Sequence, residues 1–176
     1  MLQYMPHTIG ELIKNVDTGL EKIVYRDPVF NDAPEIIKLT SPAFKHNGTI
    51  PIDFTADGKA ISPPLEWHGV PGEAWGLVLI VEDVDSPTVE PLTHAVVLGL
   101  PATNDQIEQG AFRNFGARYF PPDPPTGHGP HRYAFQVFAL DRFFHPSLKP
   151  SKEAVKDAMN KHVIAKGCLV GIYERK

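Results

Sequence analysis

Two stretches of the chain are apolar at nearly every position. Leu77-Val78-Leu79-Ile80-Val81 runs into Glu82-Asp83-Val84-Asp85-Ser86-Pro87, and Ala134-Phe135-Gln136-Val137-Phe138-Ala139-Leu140 follows His131-Arg132-Tyr133. Runs this short and this apolar predict strands with both faces buried. Side chains alternate along a strand, so His131 and Tyr133 share a face with Phe135 and Val137. The first strand ends in two carboxylates of one parity, Asp83 and Asp85. The second is entered through Gly127-His128-Gly129-Pro130. We read these two strand ends as one site.

Weaker patterns place the remaining elements. Thr8-Ile9-Gly10-Glu11 has the capping-box form, and Ile9, Leu12, Ile13, Val16 and Leu20 follow at helical spacing. This predicts an amphipathic helix with one sticky face that could pack on its own domain, on a second subunit or on a membrane surface, the last disfavoured by Glu11 and Asp17 set against only Lys14. Residues 25–35 are polar and proline-bearing and read as a linker. The body begins at residues 36–40. Residues 50–55 alternate like a half-exposed edge strand carrying Pro51, and residues 61–67 are held extended by Pro63 and Pro64. His94 opens a third buried strand to Pro101. Residues 102–130 are long, irregular and rich in Gly and Pro, as functional loops are. Ser151 caps a short helix reaching about residue 162, with Ala154, Val155, Ala158 and Met159 as its apolar stripe. A last strand covers residues 168–174. Strands joined by irregular turns predict a mainly β fold, an antiparallel β-sandwich of two sheets with short peripheral helices. The expected division is 1–35, a helix and linker that could act as a dimer arm, and 36–176, the sandwich domain.

Composition narrows the function. A chain of 176 residues fits one core-forming domain, and a net charge of -4 gives no basic footprint for nucleic acid. No apolar run approaches the roughly 20 residues that cross a bilayer, and no secretory leader is visible. The single cysteine, Cys168 in an apolar run, suits a reducing compartment. A soluble cytoplasmic protein is expected, with no nucleic-acid partner and no stable membrane insertion.

Taken singly, the polar residues read in two ways. Asp83 and Asp85 can cap a turn before Pro87, His94 can be a satisfied structural residue, and His128 reads as exposed loop. Together, two imidazoles, Tyr133 and the backbone N–H groups of a Gly-rich turn offer several donors around a small anion such as a phosphoryl group. The aspartates would then have to orient a histidine or meet a cationic head group. Three readings stay open. One is a non-catalytic anion binder, and one is a small-molecule hydrolase or lyase using His131 or His94 with an aspartate, with a metal-bound variant. The third is a structural dimer module with a vestigial pocket. No Gly-x-Ser-x-Gly elbow is present, and no cofactor is implied.

The motifs at residues 61–67, 81–87 and 127–141 resemble, in order and spacing, those of the phosphatidylethanolamine-binding, or Raf-kinase-inhibitor-like, family, most of all its bacterial YbhB/YbcL branch. The resemblance covers about residues 36–174. It implies a two-sheet sandwich with a small anion pocket formed by Asp83, Asp85, His94, Gly129, His131 and Tyr133. It also implies a homodimer, regulation of a kinase or protease by binding rather than catalysis, and a proline at position 87 that often follows a cis peptide. The chain departs from the family at Val84, at Ala95, and at residues 117–123, where Tyr119 or Phe120 could narrow the cleft and Asp123 could weaken anion affinity. The C-terminal helix that covers the pocket in eukaryotic relatives is not expected.

Overall fold

The computed structural model describes residues 19–144 and 150–176. The amphipathic helix expected at residues 8–20 lies almost wholly outside them.

The architecture is mainly β, with two sheets and, among the described residues, one α-helix. In chain order the strands are β1 (Lys38–Thr40), β2 (Gly48–Thr49), β3 (Leu65–His68), β4 (Gly76–Asp83), β5 (Leu92–Leu100), β6 (Asp105–Ile107), β7 (His131–Leu140) and β8 (Val163–Tyr173). The helix α1 is Lys152–Met159. One sheet has the order β1-β3-β6, the other β2-β8-β7-β4-β5. The larger sheet is mixed, not purely antiparallel, because β2 runs parallel to β8. A loop, not a hairpin, delivers β2 to that edge, and Asn47 and Ile50 donate to the carbonyls of Val170 and Ile172.

Alternation along the central strands divides the interior as expected. Leu77, Leu79, Val81, Tyr133, Phe135 and Val137 join Leu39, Leu65 and Trp67 of the smaller sheet in one apolar cluster. Val78, Ile80, Ala134 and Phe138 face a second cluster on the opposite side. That side is covered partly by α1 through Val155 and Met159. Ala154 and Ala158 stay exposed, so the helix stripe is narrower than the sequence suggested, and the cap is Ser151 as expected, accepting from Ala154 N at 3.1 Å.

Three expectations change. Residues 25–35 are packed against the sheet rather than forming a free linker: they include two short 3-10 turns, and Tyr25, Phe30 and Ala33 are buried. Residues 50–55 are not a strand, because Ile52–Phe54 is a 3-10 turn that buries Ile50 and Phe54 and leaves Ile52 57% exposed. Strand alternation would have put all three on one face. No cis peptide occurs among the described residues, so the bond before Pro87 is trans.

Candidate functional site

The antiparallel pairing of β4 with β7 sets Asp83 opposite Tyr133, so the end of one strand meets the start of the other. Asp83 and His131 are both buried. His131 Nδ1 donates to Asp83 Oδ2 at 2.8 Å, and the backbone N–H of Asp85 donates to Asp83 Oδ1 at 3.0 Å. With Nδ1 committed as a donor, the other nitrogen of a neutral His131 must accept. It meets His128 Nδ1 at 2.5 Å, which makes a chain Asp83–His131–His128. Gly127 and Gly129, at φ 78° and 98°, supply the left-handed backbone that curls the turn back and brings the two rings to 4.7 Å. His128 is therefore buried and not exposed loop. Its place in one Gly-His-Gly-Pro-His turn was the only signal available for it.

β5 contributes His94 from the other side of β4. His94 Nδ1 donates to the Phe120 carbonyl at 2.6 Å, and Phe120 N donates to the His94 carbonyl at 2.8 Å. This two-bond clamp seats part of the long irregular stretch over the site. Burial holds the His94 pKa below the usual imidazole range, against the pull of the Asp83 charge. The ring is then neutral, and its Nε2 is a lone-pair acceptor that is buried with no hydrogen-bond partner. Tyr133 stands edge-on to it, with ring centroids 5.2 Å apart, and its buried hydroxyl, close to the Asp83 carboxylate, makes no hydrogen bond of good geometry. Burial, then the Asp83 charge, pushes the phenol well above its ordinary pKa, so it stays protonated and can donate.

Asp83 and His94 border a cavity of about 460 Å³ whose wall also includes Leu92, Phe120, Pro121 and Asp123. Of the residues singled out in the sequence, Asp83 and His94 reach that wall. His131 and Tyr133 are fully buried, and Gly129 is buried in the turn. Asp85 does not join them. β4 ends at Asp83, and the turn that follows breaks the shared parity. Asp85 instead accepts from Arg132 at its backbone N (2.9 Å), Nε (2.7 Å) and Nη2 (2.5 Å). Burial would raise the Asp85 pKa, but these bonds outweigh it and hold the carboxyl below the usual range.

The residues that depart from the family pattern behave differently from one another. Tyr119 turns inward, donating its hydroxyl to the Phe54 carbonyl at 2.9 Å. Phe120 shapes the cavity wall, with the Arg118 guanidinium 5.4 Å from its ring centre. Asp123 faces the cavity and pairs with Arg175 Nη2 at 2.7 Å. Among the described residues, no three His, Cys, Asp or Glu side chains are grouped to hold a metal ion. Burial pushes the Cys168 thiol up to about 12, which removes it as a nucleophile near neutrality.

Fold and site together define a mainly β protein with a largely apolar cavity, carrying Asp83, His94 and Asp123 on its wall, where two adjacent strands of a sheet end and begin. The chain belongs to the phosphatidylethanolamine-binding protein family, whose profile matches residues 40–174. It is 37% identical over 153 residues to a UPF0098 protein of Methanothermobacter thermautotrophicus, covering 79% of this chain and 99% of that one. A crystal structure of the phosphatidylethanolamine-binding protein homologue CT736 from Chlamydia trachomatis superposes with TM-score 0.75 at 35% identity, covering 81% of this chain and 99% of that one. Escherichia coli YbcL, described as a member of the mammalian family, superposes with TM-score 0.73 at 27% identity, covering 80% and 99%.

Proposed function

We propose that the protein is a non-catalytic binder of a small phosphoryl head group, with its two sheets packed face to face as a sandwich around the shared cluster. The observation that carries this reading is two buried polar atoms without a well-formed hydrogen bond, His94 Nε2 on the cavity wall and the Tyr133 hydroxyl on the ring packed edge-on against His94. A neutral imidazole lone pair wants a donor, and a protonated phenol wants an acceptor. A phosphate monoester in its singly charged form offers both, a P–OH and charged oxygens. Asp83 opposes an anion less than a bare carboxylate would, because both its oxygens already accept hydrogen bonds.

The enzyme reading is weakened by the burial of His131, whose two nitrogens are taken up by Asp83 and His128. His94 is then the imidazole left to face a ligand. Thermal unfolding with inorganic phosphate and with phosphoethanolamine tests the proposal. The wild type is expected to gain stability with either ligand, and His94→Ala to lose that gain, with no turnover in either protein. A wild type that ignores both ligands, or a His94→Ala variant stabilised as strongly, overturns it.

A further inference from the structure

Arg175 lies just beyond β8 and is not part of the site the sequence indicated. Its guanidinium is a hub for two loops. Nε donates to both oxygens of Asp57 at 3.1 and 3.0 Å, and Nη2 donates to Asp57 Oδ1 at 2.7 Å. Nη1 donates to the Pro124 carbonyl at 2.9 Å, and Nη2 pairs with Asp123 Oδ1 at 2.7 Å. Tyr173 steadies the hub by donating to Asp57 Oδ2 at 2.7 Å. The same two loops are joined by the Ala56 N–H, which donates to the Pro122 carbonyl at 2.9 Å. Ala56 and Asp123 both line the cavity, so this knot stands directly behind one of its walls.

The charges around the cavity make the hub more than a brace. Among the described residues its wall carries two carboxylates, Asp83 and Asp123, and one imidazole, His94, which is held neutral by burial. Asp83 has His131 behind it. Asp123 has Arg175, whose guanidinium is shared with Asp57 and whose side chain is only 12% exposed. A half-buried carboxylate facing the cavity without a cation would repel a phosphoryl group and attract an ammonium.

We propose that Arg175 is a specificity-determining residue that, by pairing with Asp123, sets the cavity to accept a phosphoryl anion in preference to a cationic amine. This rests on the phosphoryl-binding reading and adds to it which residue sets the sign of the ligand charge.

Calorimetric titration with inorganic phosphate and with ethanolamine, at neutral pH and low salt, tests it in the wild type, Arg175→Gln, Asp123→Asn and the double variant. Arg175→Gln is expected to weaken phosphate about tenfold and to strengthen ethanolamine, because it leaves a lone carboxylate on the wall. Adding Asp123→Asn is expected to bring phosphate back to within about threefold of wild type, which loss of a merely mechanical brace would not allow. Unchanged phosphate affinity in Arg175→Gln, or a double variant as weak as Arg175→Gln, overturns the inference while leaving the phosphoryl reading intact. Should Arg175→Gln fail to fold, Asp123→Asn alone decides. A shift of preference toward phosphate supports the inference, and an unchanged preference overturns it. A wild type that binds no phosphate overturns both.

Discussion

His131 sits between an acid and a second imidazole, fully buried, and that position makes it a support for Asp83 rather than a ligand contact. Removing it strands a buried carboxylate with a single backbone donor. His131→Ala is therefore expected to lower unfolding free energy by about 3–5 kcal/mol, read as a shift in denaturant midpoint. Tyr133→Phe should behave in the opposite way. Its hydroxyl is buried without a well-formed hydrogen bond, so deleting it costs little or is slightly stabilising in the free protein, within about 1 kcal/mol. It should nevertheless weaken phosphate. If His131→Ala proved as stable as wild type, the Asp83–His131 bond would not be what holds the strand ends together. The parity of His131 and Tyr133 with Phe135 was readable from spacing. Which of them was closed off and which kept a free valence was not, since that depends on His128 and Asp83 arriving from other parts of the chain.

Between elements, the face of the sheet opposite the site carries a second polar knot. Glu82 is fully buried, and accepts from Val24 N at 2.9 Å, Gln136 Nε2 at 2.9 Å and Lys152 Nζ at 2.9 Å. Gln136 in turn accepts from Tyr25 N at 2.7 Å. This joins β4, β7, α1 and residues 24–25, and explains why residues 25–35 pack although they read as a linker. At the start of that segment the backbone N–H groups of Val24 and Tyr25 find partners 58 and 111 positions away, beyond the reach of any local pattern. Lys152→Ala leaves the Glu82 charge with neutral donors only, at a cost of about 2–4 kcal/mol. Amide hydrogen exchange should show Val24 and Tyr25 opening before the β4–β7 ladder does. Equal protection of those two amides in the variant would mean that the apolar contacts of Tyr25 and Phe30 hold the segment unaided.

For the molecule as a whole, the titrating groups predict a stability that falls with acid in two stages. His94 is held neutral by burial, so its folded pKa lies below its unfolded one. Its contribution is complete above the unfolded value near 6.5 and declines as pH drops below that, where the unfolded chain takes up the proton first. Asp27, Asp57 and Asp85 have folded pKa values below the usual carboxylate range. Burial works against that lowering in Asp27 and Asp85, where bonds from Lys156 and from Arg132 outweigh it, and bonds from Arg175 lead it in Asp57. Their contribution is complete above the unfolded value near 3.9 and is lost as pH falls through the folded values. Thermal scans from pH 7 to pH 3 should therefore lose their upper limb in His94→Phe and shrink their lower limb in Arg132→Gln. An upper limb that survives His94→Phe would assign it to another histidine.

Local order in the chain was enough to set the two central buried strands, the faces along them, the Ser151 cap and the family motifs, because those follow from strand period, helix ends and turn chemistry; the third strand, read as buried, is instead a half-exposed edge strand. It did not set how the elements close on one another. β2 joins β8 in parallel, Asp85 turns to Arg132, and Arg175 stands behind Asp123, each through a partner distant in the chain. Side-chain direction is a property of neighbouring residues. Occupancy of a hydrogen-bond valence, and so what the cavity can hold, is settled only when remote segments meet.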